Sequence, residues 1–162
     1  MGELFAPFFG EKMENKIDKE YLQKRFRFFV KKMEMQNWNL KLEFMENGWK
    51  NTGNFKIDMD DRSAVVYMNF LNPKSDNLEE VMIHELCHIK MWKLDQYCES
   101  LLDATFDDKT TAAYKFGYNQ FMCALEQTVQ EFAKTYTALI ANKKELSFVR
   151  CETQMPFRKE NL

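Results

Sequence analysis

The stretch "VMIHELCHIK", residues 81–90, holds both histidines of the chain, His84 and His88, with Glu85 between them. Four residues make about one turn of an α-helix, so on a helix the two imidazoles stand side by side. The flanking residues supply that helix. In "NPKSDNLEE", Pro73 stops whatever precedes it, Asp76 or Asn77 can cap a helix, and Glu79 and Glu80 suit the positive end of its dipole. A helix from about Asn77 to at least Gln96 follows. Its apolar residues, Leu78, Val81, Met82, Ile83, Leu86, Cys87, Ile89, Met91, Trp92 and Leu94, fall nearly all round the cylinder, which places it at the centre of the molecule.

The remaining segments surround this helix. Leu22, Phe26, Phe29, Val30 and Met33 recur at core spacing and predict a first helix over Lys16 to Gln36. "WNLKLEFMENG" then changes to period two, with Trp38, Leu40, Leu42 and Phe44 on one face. "NFKIDMD" repeats the alternation with Phe55, Ile57 and Met59. "SAVVYMNFL", residues 63–71, follows a tight "DDR" turn, and a three-stranded antiparallel sheet is the economical arrangement. Beyond the polar break "DATFDDKTT", a long helix is expected over Thr111 to Ala141, its core face formed by Phe121, Leu125, Thr128, Val129, Phe132, Tyr136, Leu139 and Ile140. The expectation is one α+β domain over residues 1–162, with loosely packed ends at about 1–15 and 144–162.

Composition narrows the function. The chain has 162 residues, is 45% hydrophobic and carries 23 basic against 25 acidic residues, with a pI near 5.8. No basic surplus exists to bind phosphates, so nucleic acid is not an expected partner. The basic run "LQKRFRFFVKK" (22–32) reads as the solvated face of an amphipathic helix. Cys87, Cys98, Cys123 and Cys151 show no CxxC pairing, which points to reduced thiols, no disulfide and a cytoplasmic setting. "MGELFAPFFGEK" lacks the basic start and long apolar run of a signal peptide, and no stretch is long enough to span a bilayer, so no membrane partner is expected.

In an HExxH helix the two histidines bind zinc and the glutamate serves as general base on the water that the ion activates. His84 and His88 are neutral nitrogen donors that leave the ion electrophilic, and Glu85 is basic enough to accept a proton. A catalytic zinc ion takes a third protein ligand. "HIKMWKLDQY" lacks the third histidine of longer motifs, Met91 and Leu94 standing in the Gly and His places, so that ligand must be remote. On the last helix Glu126 lies beside Met122, Val129 and Ala133, whereas Glu131 neighbours Gln127, Lys134 and Thr135; Glu126 is the better placed and Glu131 the runner-up.

The order helix, three strands, "HELCH" helix and a helix with "LEQTVQEFA" resembles the gluzincin-type zinc metallopeptidases called minigluzincins and, more loosely, the SprT-like proteases. The resemblance covers about residues 16 to 142, and its HExxH portion is the specific part. It implies His84, His88 and Glu126 as ligands of Zn2+, Glu85 as general base and acid, cleavage of a peptide or protein substrate, and a rim strand that binds an extended substrate by backbone pairing. Two departures stand out. Gln130 occupies a position where gluzincins often carry an acid, and no further histidine remains for the oxyanion, leaving Tyr114, Tyr118 or Tyr136 as stand-ins. Cys87 reads as core packing, whereas Cys151 in the tail and the N-terminal "LFAPFF" are candidates to cover the cleft. The competing expectation is an inactive zincin-fold protein that acts as a protein-binding module.

Overall fold

The computed structural model describes residues 18–45 and 49–145. The first helix, α1 (Lys19–Lys32), begins where the Asp18 carboxylate accepts the N–H groups of Glu20 and Tyr21. It ends where Glu34 turns left-handed, with φ of 53°, and the Met35 N–H reaches back to the Val30 carbonyl at 2.9 Å. Leu22, Phe26 and Phe29 form its buried face.

Three strands follow: β1 (Asn39–Met45), β2 (Gly53–Asp58) and β3 (Ser63–Asn69). Their spatial order is β1-β3-β2, with β1 parallel and β2 antiparallel to β3. The sheet is therefore mixed, which corrects the antiparallel expectation. The short turn containing Arg62, with φ of 49°, folds β3 directly back on β2. The connection between β1 and β2 is long enough to cross two strand spacings, about 10 Å. The most apolar strand, β3, thus occupies the middle, where both of its edges are paired.

Two helices complete the fold, α2 (Leu78–Thr105) and α3 (Ala112–Ile140). Asn77, not Asp76, caps α2, accepting the Glu80 N–H while donating to the Lys143 and Glu145 carbonyls. Asp76 pairs with Lys143 instead. Thr111 caps α3. Rows of side chains run across one face of the sheet, Leu40–Ala64–Ile57, Leu42–Val66–Phe55 and Phe44–Met68–Gly53, and this face packs with α1 and α2 into the core. Lys90 on α2 holds α1 by donating to the Met33 carbonyl at 2.7 Å.

Burial of α2 on all sides holds only as far as Ile89; farther along, Leu94, Tyr97 and Leu101 are exposed, as is Phe116 on α3. The inward line of α3 is Leu125, Val129, Ala133 and Thr137, and Phe132 and Leu139 from the expected core face point to solvent instead. Ala133 and Thr137 have small side chains, which let α3 approach its neighbours closely there; apolarity alone had favoured the bulkier residues. Among the described residues no helix is long and apolar enough to cross a membrane. The ends expected to pack loosely, about 1–15 and 144–162, lie outside the described residues apart from Lys144 and Glu145, and with them Cys151 and "LFAPFF".

Candidate metal centre

The helix α2 presents His84 and His88 one turn apart, and their Nε2 atoms lie 3.1 Å from each other. From α3 the Glu126 carboxylate straddles both rings, Oε2 standing 3.7 Å from His84 Nε2 and Oε1 3.3 Å from His88 Nε2. Taking one ligand atom from each residue, all three atoms fall within 4.8 Å of one another. In a tetrahedron with bonds of about 2.0–2.2 Å, donor atoms sit roughly 3.3–3.6 Å apart. The imidazoles are close to that separation, and a small turn of the carboxylate brings one oxygen to it. The donor set, two nitrogens and one carboxylate, suits Zn2+ and leaves a fourth position.

The three groups differ in exposure. The side chains of His84 and His88 are 11% and 12% exposed, against 43% for Glu126. The carboxylate is thus the most solvent-exposed of the three groups. Glu131, the other acid considered on α3, is exposed and is absent from the cluster.

Strand β2 packs beside the site-bearing turns of α2. Phe55 lies nearly parallel to the His88 ring, with centroids 5.7 Å apart and planes at 23°, and meets Trp92 edge-on. This contact restricts how the imidazole can rotate. Two residues earlier, Gly53 lies against the buried Glu85: a Cβ there would overlap the carboxylate and come within 2.8 Å of Val81 Cγ1. Only glycine leaves room for the carboxylate beside the strand. Neither contact is visible in the sequence, because each joins segments some thirty residues apart. A glycine opening a strand is the one local signal of such a close approach.

The other residues considered for the site are engaged elsewhere. Burial pushes the Cys87 thiol up to about 12, slightly opposed by Lys90, as befits a core thiol. Tyr118 donates to Glu99 at 3.3 Å and Tyr114 to Asp103 at 3.1 Å, while Tyr136 packs against the core. Asp95, unnoticed in the sequence, has a buried oxygen without a hydrogen-bond partner among the described residues. Burial first, and then Glu99, push its carboxyl upward against the pull of His88. No family model, curated protein or solved structure matches the chain.

Proposed function

We propose that the protein is a zinc-dependent metallopeptidase of gluzincin type, with His84, His88 and Glu126 holding Zn2+ and Glu85 as the proton carrier. The observation that carries this reading is the convergence of both imidazole Nε2 atoms and the Glu126 carboxylate, delivered by two different helices. Zinc bound there supplies a Lewis acid that acidifies water and polarises a carbonyl. The Glu85 carboxylate, confined by Gly53, accepts a proton from the attacking water and returns it to the departing amine nitrogen. His88 is held by Phe55, so the ligand geometry is set before substrate arrives.

The substrate strand pairs with β2. The β1 rim is engaged by α1, where Gln23 donates to the Leu42 carbonyl at 2.8 Å. At the β2 rim the Phe55 N–H donates to the adjacent Asn54 side chain at 2.7 Å, and an incoming peptide carbonyl takes over that donor. The free thiols Cys87, Cys98 and Cys123 accord with residence in the cytoplasm. A second reading, a protein-binding module that cuts nothing, is favoured by the apolar side chains of Leu94, Tyr97, Leu101 and Phe116 exposed along α2 and α3.

Cleavage of a mixed peptide library separates the two. Zinc-loaded wild type is expected to cut, and Glu85→Gln to be slower by about 10²–10⁴-fold with zinc content and melting temperature unchanged. Equal cleavage by wild type and Glu85→Gln would remove Glu85 from the mechanism, and no cleavage by either favours the binding module.

A further inference from the structure

Glu80 is 6% exposed, and its two oxygens are treated unequally. Oε1 accepts a hydrogen bond from Gln130 Nε2 at 2.9 Å, whereas Oε2 is buried with no hydrogen-bond partner among the described residues. A carboxylate left half-satisfied away from water destabilises a protein unless something compensates it. Its position suggests what that is. Glu80 lies one turn before His84 on α2, and Gln130 one turn after Glu126 on α3, so Glu80–Gln130 and His84–Glu126 are successive rungs between the same two helices. Residues four apart on a helix lie on the same face, so Glu80 and His84 neighbour each other along α2.

We infer that Glu80 is a positioning residue of the metal centre: with Gln130 it locks the register of the two ligand-bearing helices, and its second oxygen contributes negative charge that a dication one turn away attracts. This rests on the metal reading above. A negative group close to a divalent ion is favourable in a poorly solvated surround, whereas the same group is unfavourable in the metal-free chain. The device makes the site costly when empty and tight when filled.

The test uses the full chain, zinc ion alone, competition with a chromogenic chelator, and thermal unfolding with and without zinc. Glu80→Gln retains the shape and an amide partner for Gln130 but removes the charge. It is expected to bind one zinc about 10-fold more weakly, to melt no lower than wild type without zinc, and to gain less melting temperature from zinc. The exchange variant Glu80→Gln/Gln130→Glu returns a carboxylate to the same rung from the other helix and is expected to regain near wild-type affinity. A Glu80→Gln protein that melts lower without zinc yet binds it as tightly as wild type would make the rung merely structural. An exchange variant as weak as Glu80→Gln would equally overturn the role of the charge. Failure of the wild type itself to bind zinc removes both this inference and the metal reading; tight binding by wild type and Glu80→Gln alike removes this inference only.

Discussion

Glu79 and Glu80 stand next to each other in the first turn of α2, both buried, and their surroundings differ sharply. Glu79 accepts from Tyr21 Oη at 2.7 Å, Arg25 Nε at 2.6 Å, and the backbone N–H groups of Asn142 at 2.6 Å and Lys143 at 3.4 Å. Arg25 also donates to the Ile140 carbonyl at 2.9 Å. One carboxylate thereby joins α1, α2 and the end of α3. Among the described residues the Glu80 carboxylate accepts a single hydrogen bond, from Gln130. The satisfied acid serves the fold, and the half-satisfied one forms, with Gln130, the rung next to the candidate site. A helix turns about 100° per residue, so adjacent side chains enter different environments and one turn can serve both purposes.

The largest effect should come from breaking the Glu79 side of this contrast. Glu79→Ala leaves the Arg25 guanidinium, 11% exposed, without its anion, and unfolding by denaturant is expected to show a loss of about 3–5 kcal/mol. Zinc stoichiometry in the folded fraction should not change. A loss below about 1 kcal/mol would mean that Glu79 behaves as an ordinary surface acid.

Acid sharpens the same contrast. Burial pulls the Glu79 carboxyl upward, but the hydrogen bonds from Tyr21, Arg25 and Asn142 overcome it and hold the group below its ordinary value. A depressed folded pKa contributes stability that is present above the unfolded value and is lost as pH falls through the folded one. Wild type should therefore exceed Glu79→Gln in stability at neutral pH, and the two denaturation midpoints should converge below about pH 4. Curves that remain parallel into acid would contradict this.

The smallest effect tests the site side. Gly53→Ala forces the Glu85 carboxylate and Val81 to shift, and overpacking of this kind costs about 1–3 kcal/mol. Turnover should fall by more than the stability loss explains, with zinc retained. A drop in melting temperature with full activity would show that Glu85 tolerates displacement.

What was legible in the sequence follows from the range of the interactions. Helix α2 was readable because its cap, its acidic first turn and the His84–His88 spacing all lie within a dozen residues. Glu126 could be preferred to Glu131 because both lie on one helix, whose inward side the neighbouring residues indicate. Strand order was not legible: alternation in β1, β2 and β3 tells which side chains share a face and leaves open which strand lies between the others. The partnership of Glu80 with Gln130, and of Gly53 with Glu85, was equally hidden, because each joins elements whose distance only the assembled fold defines. Gln130 stood out in the sequence as a missing acid, whereas in the structure it is the donor to one supplied by α2.

The central claim is that α2 and α3 together hold one metal ion, and elemental analysis tests it most directly. Wild type, Glu126→Ala and Glu131→Ala are purified in parallel, loaded with zinc and dialysed. The account predicts one zinc per chain in wild type and Glu131→Ala and near loss in Glu126→Ala; zinc-free wild type, or equal zinc in all three, would contradict it.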